Sequence, residues 1–183
     1  MSLELTIVLL LILLNGFFAL SEMAVMTARK TRLRQRAGDS RGARIALELA
    51  EKPERFLSSV QVWITLIGIL TGFFGGESIA MALRDELALI PWIARHAQPV
   101  SVGISVGIIL FVSVVVGELV PKRLAIVRPE KIATAVAIPM RILATAAAPA
   151  VSLLSVTTEA LFRLFPVKHG NDSDRSEERR VGK

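Results

Sequence analysis

Val-Gly-Glu-Leu-Val-Pro-Lys-Arg, residues 116–123, ends an apolar run that begins near residue 97 and carries no charge. Glu118 is the first ionisable residue after that run, and an ionisable residue at membrane depth is costly and is usually there for function. Pro121 has no backbone N–H, and its ring crowds the carbonyl of Gly117 four residues earlier. The stretch therefore places a carboxylate beside a carbonyl released from helix bonding, an oxygen grouping that hard metal ions bind.

The composition is that of an integral membrane protein. Of the 183 residues, 52% are hydrophobic and 21% are charged, and three uncharged runs approach the ~20 residues that a bilayer-spanning helix needs. The absence of cysteine excludes disulfides, thiolate metal sites and cysteine nucleophiles. The two histidines are far apart in sequence, so no zinc ligand cluster is expected. Few aromatic residues accompany the basic ones, which argues against nucleic-acid binding.

The distribution of charge predicts the topology. Spanning helices are expected at about residues 3–28, 56–83 and 99–120. Residues 29–55 carry nine Lys or Arg against four acids, and residues 122–131 carry four against one. Basic segments mark the cytoplasmic side of a membrane. We therefore predict a multi-pass protein of the cell membrane with its N-terminus outside and its C-terminus in the cytoplasm.

Two segments are predicted to form juxtamembrane helices on the cytoplasmic side, at about residues 43–55 and 130–165. Pro139 and Pro149 interrupt the second segment, which is otherwise long enough to span. We expect there a pair of short helices that dips into the inner leaflet or wraps the bundle; the alternative is a fourth full span. Residues 1–165 are thus predicted to form an all-α integral membrane domain of three transmembrane helices plus juxtamembrane helices. Residues 166–183 are polar and aperiodic and are predicted to be a disordered tail.

Three intramembrane positions offer oxygen ligands, and each has a simpler alternative role. Ser21 on the first span and Thr65 on the second have hydroxyls, which in membrane helices often serve packing alone. Glu118 and the Gly117 carbonyl form the third position, where the alternative is a salt bridge to Lys122 one helical turn on. Mg²⁺ prefers near-octahedral oxygen ligation. The candidate metal-ligating residues are therefore Ser21, Thr65, Gly117 and Glu118.

The first span contains two further polar residues. Asn15 lies beside Gly16 within the apolar run, and Glu22 lies near its end. Small and polar residues in such a helix indicate contact with another helix or a polar cavity rather than lipid. Because Glu22 is close to the basic loop, pairing with Arg29 or a neighbouring cation is its simplest role.

Three motifs resemble the membrane domain of the CorC/cyclin M family. The first is Phe18-Ala-Leu-Ser-Glu-Met-Ala-Val-Met-Thr-Ala28 with the basic loop after it, which looks like the start of that domain. The second is Ser59-Val-Gln-Val-Trp-Ile-Thr-Leu-Ile-Gly-Ile-Leu70, which looks like the motif of its second helix. The third is Gly117-Glu-Leu-Val-Pro-Lys122, which resembles the signature of its third helix. The motifs occur in the family's order and cover roughly residues 1–165.

The resemblance implies a homodimer in the lipid bilayer that transports divalent cations, chiefly by Mg²⁺ efflux, coupled in some members to Na⁺. It also implies an ion cavity that uses the serine matching Ser21, polar groups on the second helix and the glutamate matching Glu118. Family members usually continue into a pair of CBS domains that bind adenine nucleotide, and this chain is expected to lack them. No organic cofactor is expected within it.

Two hypotheses of function follow. The first is a Mg²⁺ transporter that works by alternating access. The second is a non-transporting membrane scaffold or ion sensor of the same fold, because Ile64 and Gly68 stand where family members often carry asparagine and Trp63 stands where a glycine is common. An enzyme is not expected, since no Ser/His, paired-Asp or His-Glu-x-x-His set is present.

Overall fold

The structure, a computed structural model, describes residues 2–164, and over that range the chain is almost entirely helical. The helices, numbered in chain order, are α1 (Ser2–Thr27), α2 (Lys30–Arg36), α3 (Arg41–Glu51), α4 (Pro53–Leu87), α5 (Ala97–Val114), α6 (Val120–Val127) and α7 (Pro129–Leu164). A 3₁₀ turn (Ala94–His96) precedes α5, and a π-helical segment (Val115–Leu119) joins α5 to α6. The predicted tail, residues 166–183, lies outside the described residues.

The chain divides into two compact units, Met1–Val151 and Ser152–Lys183. The helices α1 to α6 and the first half of α7 lie within the first unit. In the second unit, the described residues are the last turns of α7.

Helices α1, α4 and α5 meet at a glycine of α4. A Cβ atom added at Gly75 would lie 2.9 Å from the Ile109 side chain of α5 and 3.2 Å from the Val8 side chain of α1. Only a residue without a side chain allows this approach, which is how small residues bring membrane helices together. At the next position, the Ser105 hydroxyl of α5 donates to the carbonyl of Gly76 at 3.0 Å. Side chains of α1 and α5 therefore pack directly against the backbone of α4 at Gly75 and Gly76.

The basic loop folds into α2 and α3, and the first half of α7 packs against them. Ser40 caps α3 by accepting a hydrogen bond from the Ala43 N–H at 3.3 Å. Gly42 of α3 lies so close to the Thr134 carbonyl of α7 that a Cβ there would clash with it. Charged pairs reinforce the contact: Arg32 with Glu130 at 3.7 Å and Arg141 with Glu48 at 3.0 Å.

The expectation of two short, proline-broken helices in residues 132–165 is wrong. Pro139 and Pro149 lie inside one continuous helix, α7. Each proline removes one helix hydrogen bond, but neighbouring helices and side chains make such losses tolerable in membrane helices. Here one face of α7 is buried at Ala133, Ala137 and Met140, so tertiary packing holds the helix through the first proline.

Four helical stretches are long and apolar enough to cross a membrane: Leu3–Thr27, Pro53–Leu87, Ala94–Val127 and Pro129–Arg163. Large apolar side chains on them are exposed, including Leu10, Phe73 and Phe111, which fits a lipid environment. The prediction of an all-α, multi-pass membrane protein is confirmed. Helix length does not distinguish the predicted three spans from four, because α7 also qualifies.

Candidate functional site

The site lies where α1 packs on the π-helical segment, and two glycines make the approach possible. A Cβ at Gly16 would lie 3.1 Å from the Pro121 ring and 3.4 Å from the Val116 carbonyl oxygen. A Cβ at Gly117 would lie 3.2 Å from both the Asn15 amide nitrogen and the Ile12 carbonyl oxygen. The two backbones are therefore almost in contact at Gly16 and Gly117.

The carbonyl of Gly117 is bonded outside its own helix. Because Pro121 has no N–H, it cannot bond the carbonyl four residues before it. The Asn15 side-chain amide donates to that oxygen instead, at 3.1 Å. The π-helical geometry begins two residues earlier, at Val115, and single π turns within α-helices are frequent at functional sites.

Three charged groups meet beside this crossing. The Lys122 ammonium lies 2.7 Å from the Glu118 carboxylate one turn earlier and 3.7 Å from the Glu22 carboxylate of α1. The side chains are partly exposed, at 44% for Glu118, 31% for Lys122 and 22% for Glu22. The salt bridge between Glu118 and Lys122, which was the simpler role considered for Glu118, is therefore present. Of the cations expected for Glu22, Arg29 is not the partner; the cation is Lys122, a hundred positions along the chain.

Two buried oxygen atoms near this crossing have no hydrogen-bond partner among the described residues. They are Oδ1 of Asn15 and the hydroxyl oxygen of Ser113. Ser113 precedes Gly117 by four residues, so the two lie near one face of the third apolar helix, which runs through α5, the π segment and α6. Unsatisfied buried oxygens are uncommon in native structures and are chemically suited to a cation.

The structure brings together some, but not all, of the four residues that the sequence predicts as metal ligands. Gly117 and Glu118 lie together in the π segment, with Gly117 buried. Ser21 is completely buried, and its hydroxyl donates to the Phe17 carbonyl at 2.7 Å, while its neighbour Glu22 reaches the shared cation. Thr65 is exposed on α4, and no contact brings it to the other three in the part of the chain that the structure describes.

Trp63 joins three helices. Its ring stacks on Phe18 of α1, with centroids 6.0 Å apart and planes 12° apart. Its Nε1–H donates to the Leu143 carbonyl of α7 at 3.0 Å. The large side chain at this position therefore fills a junction between α1, α4 and α7.

Sequence reasoning missed the bond from Asn15 to Gly117, the unpartnered hydroxyl of Ser113 and the contact of Lys122 with Glu22. An asparagine beside a glycine within an apolar helix indicates a helix contact, so the sequence did point to Asn15. It did not identify the partner, Gly117, which lies 102 positions away. Ser113 gave no signal, since a single serine in such a helix is common. Among residues 2–164, no group of three or more acidic or histidine side chains could hold a metal ion, so a metal here needs neutral oxygens as well.

This architecture and site define a multi-pass α-helical membrane protein with a charged, π-distorted helix crossing. The chain belongs to the family of the cyclin M transmembrane N-terminal domain, whose family model matches residues 6–179. The predicted family is confirmed.

Curated relatives support the assignment. The chain is 48% identical over 178 residues, or 97% of its length, to a UPF0053 protein of Synechocystis. It is 30% identical over 156 residues (85% of the chain) to the UPF0053 inner membrane protein YfjD of Escherichia coli, and 30% identical over 163 residues (86%) to a polyamine export protein of Haemophilus influenzae. The chain spans only 40%, 33% and 36% of the lengths of these three relatives.

Proposed function

We propose that this chain is the membrane domain of a cation transporter that exports Mg²⁺, with Glu118 as the carboxylate that receives the ion. The observation that carries the proposal is the Lys122 ammonium held by carboxylates of two different helices, Glu118 at 2.7 Å and Glu22 at 3.7 Å. Acids and bases within apolar helices commonly mark ion pathways. A position that already holds one cation between two acids is suited to exchanging it for another.

The exchange replaces one positive charge between the two carboxylates with two. When Mg²⁺ enters, the Lys122 ammonium moves aside, and Glu118 with Glu22 balances the two positive charges of the ion. Neutral oxygens complete the set: the unpartnered Oδ1 of Asn15 and hydroxyl of Ser113 are candidates, and the hydroxyl of Ser21 retains lone pairs. Mg²⁺ keeps several of its waters in most protein sites, so few protein ligands are needed.

Thr65 and Gly117 have smaller parts in this proposal. The Gly117 carbonyl already accepts one hydrogen bond from Asn15 and has a second lone pair. Thr65 becomes a ligand only if α4 turns toward α1, which is the kind of rearrangement that alternating access requires. Na⁺ moving the other way is the proposed source of energy.

We place three helices across the membrane and the first half of α7 on its cytoplasmic face. The support is the set of charged contacts that tie α7 to the basic loop, Arg32 with Glu130 and Arg141 with Glu48. A segment paired with a highly charged loop is poorly placed in the hydrocarbon layer. The N-terminus is then outside, as positive-inside charge requires.

The proposed assembly is a homodimer through α4 and α5. Gly68, Gly72 and Gly76 share one face of α4, and no atom lies within 4 Å of where their Cβ atoms would be. Gly103 and Gly107 on α5 are equally open. Open glycine faces permit close helix approach in a bilayer. A following CBS-domain pair and bilayer lipid are the other proposed partners, and no enzymatic activity is proposed for the chain itself.

Polyamine export is a second candidate. The cation now between the acids is a primary ammonium, that of Lys122, and a polyamine ends in the same group. Relatives from Haemophilus influenzae and Salmonella typhimurium carry the name polyamine export protein.

Flux measurements on the purified chain in proteoliposomes test the proposal. A fluorescent Mg²⁺ indicator reports Mg²⁺ movement with and without an opposing Na⁺ gradient, and radiolabelled putrescine reports diamine movement. Glu118→Ala is expected to abolish the flux, and Glu118→Gln as well, because the amide cannot balance the ion's charge. Glu54→Gln is the matched control, since Glu54 is an exposed acid at the start of α4.

Each outcome separates the hypotheses. Mg²⁺ flux that persists in both Glu118 variants contradicts the assignment of Glu118. Putrescine flux without Mg²⁺ flux favours the polyamine candidate. If the folded wild-type protein moves neither cation, the scaffold or sensor hypothesis replaces both, and loss of calorimetric Mg²⁺ binding in Ser21→Ala then favours the sensor.

A further inference from the structure

A second candidate site lies away from the ion pair, in a cleft of about 500 Å³ between the end of α3, the start of α4 and the middle of α7. It is formed entirely within the first compact unit. Its walls combine charged side chains of both signs with apolar ones. The lining includes Glu48, Glu51, Lys52 and Arg55 as well as Phe56 and Ala148.

The acids of the cleft are already neutralised. Glu48 pairs with Arg141 at 3.0 Å, and Glu51 pairs with Arg34 at 3.2 Å. Lys52 and Arg55 have no ion-pair partner within residues 2–164 and are exposed on the cleft. The unpaired charge of the cleft is therefore positive, which favours the binding of an anion.

The inner wall of the cleft is mainly apolar, with the buried Ser59 among its apolar residues. Phe56 is 2% exposed and Val151 is 8% exposed. Ala144 and Ala148 are one helical turn apart on α7, so they lie on one face of it. Two small side chains beside a buried aromatic ring leave a shallow apolar channel that begins at the cations.

Along α4, charged residues are followed by a long uncharged run, as expected where a helix enters the membrane. Lys52 and Arg55 come directly before a run without charge, residues 56–76. Cations at such a boundary lie at the level of lipid headgroups, where each contributes about 1 kcal/mol of attraction to anionic lipid. Below that level the wall is apolar, as an acyl chain requires.

We propose that this cleft binds an anionic phospholipid. The headgroup phosphate lies on Lys52 and Arg55, and the first part of one acyl chain lies along Phe56, Ala148 and Val151. Because the cleft is lined by three helices, the lipid bridges α3, α4 and α7 and stabilises their packing. A free phosphate or phosphorylated solute shares the headgroup chemistry but does not use the apolar wall.

The test compares ligands on the purified chain in neutral detergent. Native mass spectrometry and thermal unfolding are recorded with phosphatidylglycerol, with phosphatidylcholine, and with inorganic phosphate. Phosphatidylglycerol is expected to stay bound and to raise the Tm, because a ligand that binds only the folded state stabilises it. An equal effect of inorganic phosphate overturns the lipid assignment in favour of a free anion, and an equal effect of phosphatidylcholine overturns the requirement for a net negative charge.

Matched variants locate the site. The double variant Lys52→Gln, Arg55→Gln is expected to bind phosphatidylglycerol about thirtyfold more weakly, since two contacts of about 1 kcal/mol are lost. Lys30→Gln, Arg36→Gln removes the same charge from α2, outside the cleft, and an equal loss there shows general surface attraction and overturns the proposal. Ala148→Leu fills the apolar channel without changing charge; undiminished lipid binding in that variant also overturns it.

Discussion

Asn15 of α1 and Gly117 of the π segment are joined by a hydrogen bond of 3.1 Å between the side-chain amide nitrogen and the backbone carbonyl oxygen. The bond satisfies an acceptor that Pro121 leaves without its helix partner. The other atom of the same amide, Oδ1, is buried and has no partner within the described residues. One side chain thus holds the distorted helix and presents a free oxygen beside it.

Asn15→Ala is expected to destabilise the protein by about 1–3 kcal/mol, because the Gly117 carbonyl loses its partner while still buried. Thermal unfolding in detergent measures the change as a lower Tm. Thr145→Ala is the control, since its exposed hydroxyl donates to the Arg141 carbonyl of its own helix. Equal losses of Tm in the two variants would show that the bond between the helices contributes no more to stability than a bond within one helix.

Gly42→Ala is expected to loosen α7 from α3. The added methyl group meets the Thr134 carbonyl, a backbone atom that cannot rotate away, and overpacking of this kind costs about 1–3 kcal/mol. A lower Tm and faster amide hydrogen exchange in the first half of α7 are the measurements. Gly38→Ala has open space around it, so a similar response there would contradict the explanation.

Lys122→Met removes the resident cation from between Glu118 and Glu22. Mg²⁺ is expected to bind about fivefold more tightly, since it no longer displaces a partly exposed ion pair worth roughly 1 kcal/mol. Isothermal titration calorimetry measures the affinity, and Arg123→Met, the same charge change at an exposed neighbour, is the control. Weaker binding in Lys122→Met would show that the lysine positions the acids rather than competing for them.

Gly72→Leu is expected to weaken the proposed dimer about tenfold or more, because a large side chain prevents the close approach of two α4 helices. Light scattering coupled to size-exclusion chromatography in detergent gives the mass of the complex. Gly38→Leu lies outside the apolar helices and is the control. A dimer that survives Gly72→Leu unchanged would place the interface elsewhere.

The sequence predicted the apolar helices because their signals are local. Uncharged runs end at clusters of Lys and Arg, so the spans and the basic loop could be located from residue type alone. The motifs around Ser21, Trp63 and Glu118 were sufficient to identify the family. The proline rule, by contrast, failed at Pro139, because the rule is local and the packing of Ala137 and Met140 against other helices is not.

The site could be predicted only in part for the same reason. Gly117 and Glu118 were identified because Pro121, which distinguishes them, is only four and three residues away. The roles of Asn15 and of Lys122 toward Glu22 depend on α1 crossing the third apolar helix about a hundred positions later, and one sequence cannot specify that pairing. The position of Thr65 depends on the rotation of α4 about its axis, which its glycine-rich, apolar surroundings define poorly.

The π segment also sets the angular phase of the third apolar helix. Each residue of an α-helix advances by about 100°, so sixteen residues of unbroken α-helix would put Ile109 and Ala125 about 160° apart, on nearly opposite sides. A π turn accommodates one extra residue, which reduces that angle to about 60°. Both side chains are in fact buried, at 8% and 0% exposure. Regular α-helical winding of residues 115–119, with no residue deleted, would therefore rotate the buried face of α6 by about 100° toward lipid.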